Sequence, residues 1–238
     1  MPLIQRVGPL VNRCMYYIAR ANPSALPVVD RANLGSANVV AGGWVNLDNS
    51  PSAWLAHHHR MRWLLKTLHL IPARLATGWP ADVILHDVRR PLPWADGALR
   101  YVYTSHLLEH LYPDEGARLL HECFRVLQPG GRIRVVVPDL ELFARRYIAA
   151  VSDDSQHERD VEAATLELFD ICGARESSAF SSRNPHRWMY DRRSLAAALR
   201  DAGFVDIARY ESGVGDVPDL TTLDVRGDIS LHLEARRP

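Results

Sequence analysis

The chain is short of cysteine, of long apolar runs and of unbalanced charge. Its 238 residues hold only three cysteines, Cys14, Cys123 and Cys172. They lie far apart and form no C-x-x-C pair, so the thiols read as reduced and no disulfide is expected. That favours a cytoplasmic setting. No apolar run reaches the ~18 residues of a membrane span. The opening "MPLIQRVGPLVNRCMYYIARANPSALP" has no uninterrupted apolar core and is not read as a signal peptide. Lys plus Arg number 28, as do Asp plus Glu. A net charge of zero gives no general attraction to nucleic acid or to an anionic membrane. Repeats and low-complexity segments are absent. So is the G-x-G-x-x-G fingerprint, which counts against a nicotinamide-dependent oxidoreductase.

What remains is the composition of a folded enzyme-sized domain. Hydrophobic residues make up 47% and charged residues 24%, enough to bury a real core. Residues 1–26 read as a lead-in and 27–238 as a single domain. Strands are expected at 28–35, 43–48, 81–87, 99–105 and 132–139, with two more near 204–212 and 228–237. The spacing of apolar residues predicts a helix over 53–70. A second helix begins at Pro113, carries acids in its first turn and stops before Pro-Gly-Gly, which is read as a turn. Further helices are expected from about 140 to 172 and over 191–204. Strands alternating with helices imply an α/β fold: a mostly parallel twisted sheet, helices on both faces, and an antiparallel strand near one edge. The last two strands have no long helix between them and are expected to pair antiparallel.

In open α/β sheets ligands bind beyond the carboxyl ends of the strands. The first strand runs into Gly35, Ser36 and Ala37. The second ends at Asp48, the third at Asp87, and the fourth at Thr104, Ser105 and His106. Each alone is weak, since a strand-terminal Asp is commonly a helix cap. Four in succession are a stronger pattern. An ionised carboxylate such as Asp48 suits the two hydroxyls of a ribose. The stretch "LGSANVVAGGWVNLD" (34–48) raises a difficulty, because residues 35–43 are too few for the usual crossover helix. An extended link of that length still reaches ~30 Å, against ~17 Å for a five-residue strand. A parallel return is therefore feasible. A hairpin is the alternative, and it would carry Asp48 to the opposite end of the sheet.

"HDVRRPLPWADGALRYVYTSHLLEHL", followed by "LLHECFRVLQPGGRIRVVVPD", resembles the core of class I S-adenosylmethionine-dependent methyltransferases. "HRWMYDRRSLAAALRDAGF" and the final "SLHLEA" are similar to small bacterial members of that group. The likeness runs over about 28–236. It implies a Rossmann-like methyltransferase fold with a shortened first βαβ unit and S-adenosyl-L-methionine as cofactor. By it, Gly35, Ser36 and Ala37 pass under the methionine part, Asp48 holds the ribose, and Asp87 with the Val88 backbone meets the adenine edge. Thr104, Ser105 and His106 line the site below the reactive methyl, and His106 is the candidate base. Ala37 departs from the glycine usual in that loop, and a positive φ there is costly.

The implied partner is a small-molecule or sugar-type acceptor, held by an acceptor and lid insertion expected over 140–190. Its Tyr147, Phe180, Arg183, His186, Arg187, Trp188 and Tyr190 serve either as a clamp or as packing. Residues 177–190 are expected to form a lid. Two rival readings stay open. One is a non-catalytic cofactor-binding or scaffold protein of the same fold. The other is a zinc hydrolase using "HLLEH", which matches H-x-x-E-H with Glu109 as base. Against zinc, His106 sits at the strand exit, Pro113 ends the helix within a turn, and no downstream glutamate stands out as a third ligand. His110 is read as a helix residue packed on the sheet, and the run His57, His58, His59 as an exposed face. No metal site is expected.

Overall fold

The computed structural model describes residues 19–68, 79–80, 82–153, 157–172 and 185–238. Seven strands form one sheet: β1 (Arg31–Leu34), β2 (Val45–Asp48), β3 (Ile84–Leu85), β4 (Leu99–Ser105), β5 (Leu127–Pro138), β6 (Val205–Tyr210) and β7 (Ser230–Arg236). Their order is β3-β2-β1-β4-β5-β7-β6. β1 to β5 run parallel, while β7 is antiparallel to both β5 and β6. The expected α/β class, the parallel majority and the reversed strand one place in from an edge are all present. The order changes direction between β1 and β4. In such folds ligands bind beyond the carboxyl ends of the strands at a switch point of this kind.

Among the described residues seven helices accompany the sheet: α1 (Pro51–His57), α2 (His59–Thr67), α3 (Pro113–Val126), α4 (Leu140–Ser152), α5 (Glu158–Ile171), α6 (Arg192–Asp201) and the short α7 (Leu220–Leu223). β5 shows how the core is divided. Its Ile133, Val135 and Val137 join one apolar cluster with Leu119, Leu120 and Cys123 of α3 and Leu195 and Leu199 of α6. The alternate Val136 joins a second cluster with Trp44, Tyr103, Leu220 and Leu223. This is the two-residue period of a strand buried on both faces.

On the second face a buried ion cluster ties the loop before β7 to the sheet. Arg134, fully buried, meets Asp224 Oδ2 at 2.5 Å and Glu234 Oε1 at 3.1 Å. The Tyr103 hydroxyl lies 2.9 Å from both the Leu223 carbonyl and Asp224 Oδ1. A buried cation is tolerable only when paired in this way.

Three local expectations change. The helix expected over 53–70 breaks at His58, whose φ of −120° and ψ of 64° end α1 before α2 begins. Both Ser50 and Pro51 favour a helix start, since the Ser50 side chain accepts from the Ala53 N–H. Pro-Gly-Gly is not a turn outside the sheet: β5 already begins at Leu127, paired with Leu99, and a bulge follows. Finally, β3 is only two residues long. No helix among the described residues is long and apolar enough to cross a membrane. Cys123 is a buried and Cys172 an exposed free thiol. Cys14 lies outside the described residues, as does most of the lead-in 1–26.

Candidate active site

The link between β1 and β2 decides where Asp48 lies. The two strands are parallel, with Ala32 opposite Val45 and Leu34 opposite Leu47. The hairpin is thus excluded, and Asp48 shares the carboxyl edge with Gly35–Ala37. Residues 35–44 cross back without a helix. The Ser36 N–H donates to the Leu47 carbonyl over 3.0 Å. The Ala37 N–H donates to Asp48 Oδ2 over 2.9 Å, and the Ser50 N–H to Oδ1 over 2.6 Å. Gly35 takes φ +68° at no steric cost, while Ala37 takes +49°, a strained value for an L-residue. Asp48 is 7% exposed. Two of its roughly four lone-pair sites are used, so two remain for a diol.

Asp87 lies just beyond β3 and is buried. Its carboxylate is fully subscribed. Arg89 donates from its backbone N–H and Nε to Oδ1 and from Nη2 to Oδ2, and Asn49 Nδ2 also donates to Oδ2. An adenine amine has to displace one of these donors to reach Asp87. The Asp87 N–H is bonded to the Ala19 carbonyl. Val88 is buried beside it in the main core cluster.

β4 delivers Thr104, Ser105 and His106 to the same edge. Thr104 is buried and its Oγ1 has no hydrogen-bond partner; the same holds for Asn49 Oδ1. Orphaned polar atoms at a strand-end crevice fit a polar ligand there. His106 has φ +51°, a conformation that persists only when its surroundings impose it. Its Nε2 lies 2.9 Å from Ser230 Oγ at the start of β7. Its Nδ1 lies 3.2 Å from Glu109 Oε1. Glu109 is fully buried, and neither of its oxygens has an aligned hydrogen bond. Burial pushes the Glu109 carboxyl up, but the adjacent His106 and His110 outweigh it, and the net direction is downward. Glu109 is therefore a carboxylate facing the His106 ring.

The turn after β4 corrects the expectation for His110. Leu108–His110 form one 3-10 turn rather than an α-helix. His110 meets His186 edge to face, with ring centroids 4.9 Å apart. Of the expected acceptor residues, Arg187 rests over the Tyr112 ring at 4.7 Å and bonds its hydroxyl. Trp188 is exposed, Tyr147 half-buried, and Tyr190 buried in the core. Phe180 and Arg183 lie outside the described residues, as does most of the expected lid. The sequence reading passed over Asn49, Arg89 and Ser230. Asn49 and Arg89 stand next to strand-end aspartates, which was the available signal; Ser230 gave none.

Residues 65–135 match the family model described as "Methyltransferase domain". A Mycolicibacterium smegmatis protein named "Probable S-adenosylmethionine-dependent methyltransferase" is 31% identical over 102 residues, 42% of this chain and 38% of that protein. The chain thus spans well under half the length of this relative. A SAM-dependent methyltransferase from Archaeoglobus fulgidus superposes with a TM-score of 0.47 at 14% identity, covering 98% of this chain and 94% of the other. A Thermotoga maritima structure described as a SAM-dependent methyltransferase, possible histamine N-methyltransferase, gives 0.43 at 15% identity over the full length of both. The chain is thus similar to a methyltransferase domain over residues 65–135, and over 102 residues to a relative named as S-adenosylmethionine-dependent. The matched segment contains Asp87, Val88 and Thr104 to Glu109, while Gly35–Ala37 and Asp48 precede it.

Proposed function

We propose that this chain transfers the methyl group of S-adenosylmethionine to a small-molecule or sugar-type acceptor at the carboxyl ends of β1 and β4. One observation carries the reading: the parallel return of β2 sets the Asp48 carboxylate beside the Gly35–Ala37 turn, on the edge that also holds His106. When bound, the cofactor supplies an activated methyl on a sulfonium. The chain's own residues bind, orient and exclude water. In this reading the Gly35–Ala37 backbone lies under the methionine portion and Asp48 accepts from the ribose hydroxyls. Asp87 and the Val88 backbone serve the adenine edge, and Thr104 and Ser105 wall the site.

His106 is the proposed base, needed when the acceptor is a hydroxyl or an ammonium. Glu109 stabilises the charged ring that results. Both ring nitrogens face protein groups, so proton uptake by Nε2 requires Ser230 to yield its place to the acceptor. Exposed Trp188 is the best-presented apolar contact for an acceptor. Residues 27–238 are read as one domain, supported by a single core cluster that draws on β1, β4, β5, β7, α3 and α6. A cytoplasmic setting goes with this reading.

A scaffold that binds cofactor without transfer is the second reading. Its support is the saturated carboxylate of Asp87 together with the strained Ala37. Incubation with methyl-labelled S-adenosylmethionine and a panel of hydroxyl, amine and sugar acceptors tests the choice. Labelled product supports the enzyme; tight cofactor binding with no product across the panel favours the scaffold.

A further inference from the structure

The turn after β4 gathers a second constellation. Glu109, His110 and His186 each offer one ligand atom, and the three atoms lie within 4.8 Å of one another. Glu109 and His110 are neighbours on the 3-10 turn, while His186 arrives on the segment leading to α6. That segment is held in place: the N–H groups of Arg187 and Trp188 donate to the Glu109 carbonyl over 2.7 and 3.2 Å.

Glu109 is the anomaly. It is fully buried, and neither oxygen has an aligned hydrogen bond. Its close neighbour His106 lies at ion-pair distance, 3.2 Å. A buried carboxylate left in this state is costly unless a charge or a metal completes it. The two imidazoles are prepared for the second option. His110 Nδ1 faces the Pro185 carbonyl at 3.4 Å, and His186 Nδ1 faces the Ile171 carbonyl. A ring that donates Nδ1–H to a backbone carbonyl keeps its lone pair on Nε2, as metal-binding histidines do.

We propose that Glu109, His110 and His186 form a binding site for a divalent transition-metal ion, with Zn²⁺ as the probe. Two imidazoles and one carboxylate suit zinc with a fourth position left for water or another oxygen ligand. Ligands at 2.0–2.1 Å around tetrahedral zinc sit roughly 3.4 Å apart, so the cluster needs about 1.4 Å of closure or less. The charge arithmetic also fits: one carboxylate and two neutral rings leave the ion partly neutralised and satisfy Glu109. Read from the sequence, H-x-x-E-H pairs His106 with His110. In the fold His106 turns to Ser230 instead, and His186 supplies the second imidazole.

The site shares Glu109 with the proposed base pair of methyl transfer, so its test uses no S-adenosylmethionine and is read independently of transfer. The full chain is stripped with chelator, then titrated with Zn²⁺ by calorimetry, with metal content measured after desalting. One tightly held equivalent and a raised melting temperature are expected. His186→Ala and Glu109→Gln, each checked for a native circular-dichroism spectrum, are expected to weaken binding at least about 100-fold. His186→Gln replaces His186→Ala should the latter fail to fold. A triple His57→Ala, His58→Ala, His59→Ala variant controls for the exposed run and is expected to keep the equivalent. Zinc that fails to bind the stripped chain, that survives both site variants, or that is lost only with the exposed run overturns the proposal.

Discussion

The Ala37 N–H donates to Asp48 Oδ2 over 2.9 Å, and this bond closes the short link between β1 and β2. The chain returns to a parallel neighbour without a helix, and the bond holds the turn against the strand end. Ala37 makes it from φ +49°, a region that costs an L-residue ~1–2 kcal/mol. Glycine adopts that conformation freely but also gains freedom in the unfolded chain, offsetting part of the benefit. Ala37→Gly is therefore expected to stabilise the fold by about 0.5–1 kcal/mol, or about 1–3 °C in Tm. A lowered melting temperature would mean that the Ala37 methyl packs more than it strains.

In the proposed reading, Arg89 and the adenine edge compete for Asp87. Removing the guanidinium in Arg89→Ala takes two of the four donors away from that carboxylate. S-adenosylmethionine is expected to bind the variant about three- to tenfold more tightly, the value of one hydrogen bond regained. Titration calorimetry gives the answer, and weaker binding would assign Arg89 itself to the cofactor.

His106 separates binding from turnover. His106→Ala leaves Asp48 and the Gly35–Ala37 turn untouched, so cofactor affinity is expected to stay within a few-fold. As the base it contributes ~10²–10⁴ in rate, and kcat on a hydroxyl or ammonium acceptor is expected to fall by that amount. Unchanged turnover would reduce His106 to a wall of the pocket.

Much of this architecture is legible in the sequence. β4 carries the aromatic and β-branched residues of a strand, and α3 has a helical apolar pattern with acids and proline at its start. The strand-end residues could be located because a parallel sheet puts all carboxyl ends on one edge. Long-range arrivals could not. Nothing in the chain announces that Ser230 faces His106 or that His186 folds over His110. The break at His58 escaped as well, because apolar spacing continues through it while the backbone does not.

Two buried histidines and the half-buried His110 set a pH dependence. Burial is the leading cause that lowers His86, His110 and His232 from the ordinary value of 6.5. A lowered folded-state value means that the unfolded chain binds more protons, so stability rises with pH. The contribution is complete above about 6.5 and is lost as pH falls through the lower folded-state values. Urea melts in chelator-containing buffer are expected to show a plateau near pH 7–8 and a decline toward pH 5. His86→Gln should flatten part of that decline, and a profile flat across the range contradicts the assignment.

The account rests most heavily on Asp48 as the ribose acceptor. A hydrogen bond to a charged group is worth ~1.5–3 kcal/mol, and two hydroxyls are proposed to donate to this carboxylate. Calorimetric titration of S-adenosylmethionine into wild type and Asp48→Ala tests this directly, with circular dichroism and Tm confirming that the variant is folded. The account predicts affinity lowered by about 3 kcal/mol or more, on the order of a hundredfold. Unchanged affinity in a folded Asp48→Ala would contradict it and place the cofactor elsewhere on the sheet.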